Sequence, residues 1–93
     1  MLKIMKLVGR SPLGEKTIQT EGGSKTIKCC TADFSMGFDS FRAQVDGRLA
    51  EQIQSLPLNE DYELIVNIRM VSFSSNGEQR VFNAIDLWRI TKL

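Results

Sequence analysis

Two kinds of side chain in this sequence could act on a ligand: flat aromatic rings and well-separated cations. Phe41, Phe73 and Trp88 offer rings, and Lys3, Lys6, Arg10, Lys28, Arg42, Arg48, Arg69 and Arg80 offer positive charge. Rings of this kind stack on nucleobases at about 1–3 kcal/mol per base, and a row of cations can follow the phosphates between them. Each residue also has an ordinary use. A small β domain needs large apolar side chains inside, and a cation on an outward strand face is simply solvated. On that footing Phe34, Phe82 and Trp88 read as core. Phe73 stands between the two uses because it lies at a strand end.

Other chemistries lack their parts. The chain has no histidine, which removes the commonest general base and metal ligand. Asp33 with Asp39, and Glu60 with Asp61, fall in or near turns, where acids bond to nearby backbone. Cys29 and Cys30 are adjacent. Neighbours in a strand point to opposite faces, so they make a poor disulfide, and they lack the spacing and further ligands of a zinc site. No Gly-x-Gly-x-x-Gly and no phosphate-binding loop occurs. A non-enzyme without cofactor or metal is expected.

The bulk numbers describe one folded domain over residues 1–93. An apolar fraction of 42% and a charged fraction of 25% are ordinary for a globular protein. The net charge is only +1, but it is uneven: residues 1–28 hold six basic and two acidic side chains, and residues 29–93 hold six and nine. The basic first third could lie on one face and track phosphates, or simply be solvated surface. No secretory signal and no membrane-spanning run is read, and the paired thiols suit a reducing interior. A cytoplasmic protein with no membrane partner is expected.

The elements that would position these side chains follow from periodicity. Leu2 to Val8 reads as a strand whose apolar phase changes midway, the mark of a bulge. Thr17 to Thr20 reads as a short strand, followed by a turn at Glu21-Gly22-Gly23-Ser24. Lys25 to Phe34 is the second main strand, with Ile27, Cys29 and Thr31 on one face and Lys28, Cys30, Ala32 and Phe34 on the other. Phe41, Ala43 and Val45 alternate with polar residues in a third. Arg48 to Leu56 is the helix, with Leu49, Ala50, Ile53 and Leu56 at helical spacing and Pro57 as its stop. Tyr62 to Phe73 and Arg80 to Ile90 form a long hairpin about Ser74-Ser75-Asn76-Gly77, and Asn-Gly suits its turn. The apolar set of the last strand changes phase, with Val81 and Ile85 on one side and Trp88 and Ile90 on the other, which predicts a second bulge or coiling. The expected fold is mainly β: a five-stranded OB-fold barrel with one short helix between strands 3 and 4. An open α+β sandwich is the competing plan.

The ordered residues resemble the bacterial single-stranded DNA-binding protein family. The likeness starts at Leu7-Val8-Gly9-Arg10, similar to that family's first-strand segment. It continues through Phe41-Arg42-Ala43-Gln44-Val45-Asp46-Gly47-Arg48-Leu49-Ala50-Glu51, where the family runs from a strand through glycine and a basic residue into its helix. Asn67-Ile68-Arg69-Met70, the Gly77 turn and the last strand follow in the same order, so nearly the whole chain is covered. The chain also departs from the family. Ser40 stands where tryptophan is usual, Asp46 where an aromatic often precedes the glycine, and Asn59-Glu60-Asp61 replaces a Lys-Gly pair. The family's acidic C-terminal tail has no counterpart.

The resemblance implies a shortened relative that binds single-stranded DNA, or RNA, in replication or recombination of a bacterial, phage or mobile genome. A homo-oligomer of two or four copies is expected with it. The expected binding residues are Lys28, Phe41, Arg42, Arg48, Arg69, Phe73 and Arg80, with Lys28 and Arg42 foremost for phosphate. The alternative is an OB-like protein-interaction module without nucleic acid, favoured by the near-neutral charge and the acidic 59–61 loop. A shared face for Lys28, Arg42 and Arg69 beside an exposed Phe41 or Phe73 would separate the two.

Overall fold

The computed structural model describes residues 2–93 of the chain. Its elements are β1 (Leu2–Arg10), β2 (Gly14–Thr20), β3 (Gly23–Met36), β4 (Asp39–Asp46), α1 (Arg48–Ser55), β5 (Asp61–Ser75) and β6 (Glu78–Lys92). The protein is mainly β with one short helix, and its strands close into a ring. Around the ring the order is β1, β5, β6, β4, β3 and back to β1, with β2 attached outside on β3. Every pairing is antiparallel except β4 to β6, which meet in parallel at Gln44 and Asp86.

The strand count differs from the sequence expectation. There are six strands instead of five, and the helix follows the fourth instead of the third. The extra strand is β2, which pairs with β3 from Gly14 opposite Cys29 to Thr20 opposite Gly23. Most of β2 is exposed, so it has no buried apolar alternation by which a sequence could announce its full length.

Both strands carry a bulge, although the one in β1 lies beyond the phase change at Ile4 and Met5, where the register is unbroken and Leu2 and Ile4 are simply exposed. In β1, Leu7 pairs with Phe34 and Gly9 with Asp33, leaving Val8 as the extra residue. In β6, Arg89 pairs with Ile65 and Leu87 with Val66, leaving Trp88 as the extra residue. A bulge bends its strand and strengthens local twist, which helps a sheet this short curve round to meet itself.

Gly47 ends β4 and opens α1. Its φ of 71° and ψ of −142° lie in a region that residues with a β-carbon avoid, and its N–H donates to the Lys28 carbonyl at 2.8 Å. Two turns of helix are too short to stand alone. Ala50 and Ile53 are therefore buried against the ring, with Leu49 and Leu56 partly buried beside them. Leu56 is already extended, as the residue before Pro57 must tend to be.

The core is Met5, Leu7, Cys30, Ala32, Phe34, Ala43, Val45, Ala50, Ile53, Tyr62, Leu64, Val66, Leu87 and Ile90. Burying each large member contributes about 1.5–3 kcal/mol. Tyr62 brings in a hydroxyl and satisfies it, donating to the Pro57 carbonyl at 2.8 Å. Phe34 is core as expected, but Phe82 at 50% exposure and Trp88 at 64% are not. Trp88 is turned out by the bulge. Phe82 lies on the half of the β5–β6 ribbon that leaves the body.

That departure begins after Val66. Ile68 and Met70 continue the inward alternation of Tyr62, Leu64 and Val66, yet both are exposed. The ribbon ends in a two-residue turn at Asn76 (φ 52°) and Gly77 (φ 80°), the pair of left-handed residues that matches hairpin twist. Among the described residues, no helix is long and apolar enough to cross a membrane.

Candidate functional site

The outward faces of β4, β5 and β6 form two adjoining grooves. One, of about 410 Å³, is lined by Phe41, Arg42, Gln44, Arg69, Phe82 and β6 residues Asn83 to Ile85. The other, of about 620 Å³, is lined by Gln44, Asp46, Leu49, Arg69, Asp86, Leu87 and Trp88. Gln44 and Arg69 belong to both, so the two make a continuous trough.

Strand parity explains the lining by Arg42, Gln44, Asp46, Arg69, Phe82, Ala84 and Asp86, whereas Phe41, Asn83, Ile85 and Leu87 fall on the opposite parity. Inward Ala43 and Val45 leave Arg42, Gln44 and Asp46 on the outward face of β4. On the ribbon, register sets Arg69 opposite Ala84, Val71 opposite Phe82 and Phe73 opposite Arg80. Arg69, Val71, Phe73, Arg80 and Phe82 thus share one ribbon face, because directly opposed residues project to the same side. Phe82 and Phe73 lie edge to face, with ring centres 5.9 Å apart.

Two arginines hold the middle of the trough, and each is already paired. Arg42 donates from Nε to Asp33 Oδ1 at 2.8 Å and from Nη2 to Oδ2 at 3.4 Å. Arg69 donates from Nε to Asp86 Oδ2 at 2.7 Å and from Nη2 to Oδ1 at 3.3 Å. These hydrogen bonds, and then the charge of each carboxylate, push both guanidinium pKa values up. Both cations therefore stay charged at any ordinary pH. Gly9 leaves room for the Asp33 carboxylate, since a β-carbon there would lie 3.3 Å from Asp33 Oδ2.

The other predicted residues divide. Phe41 lines the trough but is half-buried, tilted against Phe34 at 5.7 Å between ring centres. Phe73, 46% exposed, and Arg80 lie farther out on the same ribbon face. Arg80 reaches only loosely toward Glu78, at 3.7 Å. Lys28 lies outside the trough, bonded to Glu15 of β2, a bond that raises the lysine pKa and lowers that of the glutamate. Arg48 opens α1 and is exposed. Arg10 serves the fold, donating to the Leu56 carbonyl at 2.6 Å and so bracing the helix end.

The sequence reading assigns Phe82 to the core and does not single out Gln44 or Asp86. Counting back from the Asn76-Gly77 turn would have put Phe82 on the Phe73 face. The 59–61 loop, expected to repel phosphate if near the groove, sits beside β1 instead: Leu7 N–H donates to the Glu60 carbonyl at 3.1 Å and Asn59 N–H to the Leu7 carbonyl at 2.7 Å. None of the three residues lines the trough.

Among the described residues, no cluster of three or more histidines, cysteines or acids could hold a metal ion. Cys30 is buried, with Sγ 3.8 Å from the Ala50 carbonyl, and burial pushes its thiol pKa up. No protein-family model, curated protein or solved structure matches this chain.

Proposed function

We propose that this chain is a cytoplasmic OB-fold protein that binds single-stranded DNA without catalysis, in replication or recombination. The fold reading rests on connectivity. With β2 set aside, the ring has five strands. Its third and fifth, β4 and β6, meet in parallel, and α1 lies between the third and fourth. That order supports a Greek-key OB barrel, whose ligand surface lies on strands 2 and 3 and the loops that border them. Here those strands are β3 and β4, and one bordering loop is the tip of the β5–β6 ribbon.

The observation that carries the functional reading is the trough. It combines Arg42 and Arg69 with the rings of Phe41, Phe82 and Trp88 on one surface. Cations spaced along a groove and rings beside them are the two requirements of a sequence-tolerant single-strand binder. Phosphates run past Arg42, Arg69 and Arg80, while bases stack on Phe82, Phe73 and Trp88. Two or four copies would raise affinity through avidity. The opposite ribbon face, with exposed Ile68, Met70 and Val81 and no charged residue, is the candidate seam.

A second reading has one specific observation behind it. Each trough arginine is neutralised by an aspartate, which suits a protein-interaction module as well. Binding to a fluorescent oligo-dT of about 35 nucleotides, at two salt concentrations, separates the readings. The single-strand reading expects micromolar or tighter binding that weakens with salt and weakens further in Arg42→Ala or Phe73→Ala. A folded protein that fails to bind at low salt excludes it.

A further inference from the structure

Asp33 and Asp86 do the same thing to the two arginines of the trough, Asp86 from its lining and Asp33 from the adjoining hollow of Val8, Phe34, Ser40 and Phe41. Each presents both carboxylate oxygens to the Nε and Nη2 of one arginine. This fork suits planar oxyanions generally, and an arginine binds a phosphate through the same pair of N–H groups. Neither arginine needs its aspartate to satisfy a buried charge, because the two side chains are 71% and 51% exposed. The pairs are not simple cross-strand neighbours in both cases. Asp33 stands directly opposite Arg42, but Arg69 stands opposite Ala84 and reaches diagonally to Asp86.

We infer that Asp33 and Asp86 are internal stand-ins for phosphate, occupying the phosphodiester-binding forks of Arg42 and Arg69 and leaving them when a strand binds. The inference rests on the single-strand reading and adds its two phosphate subsites and a built-in competitor at each. Binding is an exchange of one oxyanion for another on a fixed guanidinium. No bond other than hydrogen bonds is made or broken. Each released carboxylate regains water and counterions, which offsets part of the counterion release that otherwise drives phosphate binding.

Two consequences follow for affinity. Removing the competitors frees both arginines, and an exposed pair of this kind is worth a factor of about 1.5 to 5. Asp33→Asn with Asp86→Asn is therefore expected to tighten binding roughly tenfold at low salt. Salt dependence is also expected to steepen, because each fully recovered single-strand phosphate contact adds about −0.7 to the slope of log K against log salt.

The experiment is a salt series of binding isotherms on a fluorescent 35-nucleotide oligo-dT for the wild type, Asp86→Asn, the double variant and Glu63→Gln. Circular dichroism confirms that each is folded. Glu63 is on β5 opposite Ile4 of β1, away from the trough, so its variant makes the same change in net charge as Asp86→Asn. Tighter binding with a steeper slope in the aspartate variants, well beyond that of Glu63→Gln, supports the inference. Equal effects in Asp86→Asn and Glu63→Gln, or weaker binding in the aspartate variants, overturn it and leave the single-strand reading intact. Absence of binding by all four folded proteins overturns both.

Discussion

Phe73 and Phe82 meet edge to face across the exposed half of the β5–β6 ribbon, with ring centres 5.9 Å apart. They are diagonal neighbours, since Phe73 opposes Arg80 and Val71 opposes Phe82. Each ring thus keeps its partner in one orientation and leaves surface free. A ring held in place loses less freedom when a base stacks on it.

From this pair, Phe82→Ala is expected to weaken binding of a single-stranded oligonucleotide about five- to 150-fold, the equivalent of one base stack. Its effect on folding is expected to be small, about 0.5–1.5 kcal/mol for the lost ring contact. Isotherms and a thermal melt on the same sample check both halves. A large drop in melting temperature with unchanged binding would return Phe82 to a purely structural role.

Lys28 and Arg69 make an instructive contrast. Both pair with an acid, but only Arg69 lines the trough. Lys28→Gln is expected to leave oligonucleotide affinity within about twofold, in line with the small worth of an exposed pair. Arg69→Gln is expected to weaken it by tenfold or more, since it removes a phosphate partner and leaves the Asp86 charge facing the strand. Side-by-side titrations decide this. Equal losses would move the binding surface toward β2 and β3.

Much of this architecture could be read from residue order, and the failures have physical causes. Alternation located β3, β4 and β5 because one face of each is buried, and Leu49, Ala50, Ile53 and Leu56 located α1 because their spacing faces the ring. The bulge at Trp88 was visible as a phase change, but the phase change in β1 came from exposed Leu2 and Ile4 and not from the bulge at Val8. β2 was only partly visible, since Gly14–Thr20 buries no full face. Phe82 and Trp88 were misread because size and hydrophobicity normally send such residues inward, whereas here a ribbon and a bulge carry them out. The pairing of Arg42 with Asp33 depends on β3–β4 register, which no single strand encodes.

The two cysteines are expected to react very differently. Cys29 is half-buried, while Cys30 is buried and its thiol pKa is raised, first by that burial. The thiolate is the reactive form, so Cys30 loses on access and on ionisation alike. Iodoacetamide at pH 8 is expected to modify Cys29 alone in the folded protein and both residues in denaturant, as read by peptide mass mapping. Rapid labelling of Cys30 under native conditions would contradict the packing of α1 on β3.

Alkaline pH is expected to destabilise the fold, through Tyr62 in particular. Burial raises the Tyr62 phenol pKa, Glu60 adds to the rise and Arg10 opposes it. A group whose pKa is higher folded than unfolded contributes stability that is complete below the unfolded value and lost as pH climbs through the folded one. The window therefore opens near pH 10 for Tyr62, and near 8.5 for Cys30 by the same argument. Tyr62→Phe separates the two contributions. At pH 7 it is expected to cost about 1 kcal/mol, because the Pro57 carbonyl loses its donor. Above pH 10 it is expected to lose stability less steeply than the wild type, since one titrating group is gone. Urea unfolding at pH 7, 9 and 10.5 provides the comparison. Parallel profiles for the two proteins across that range would mean that the phenol ionises as freely in the fold as in water.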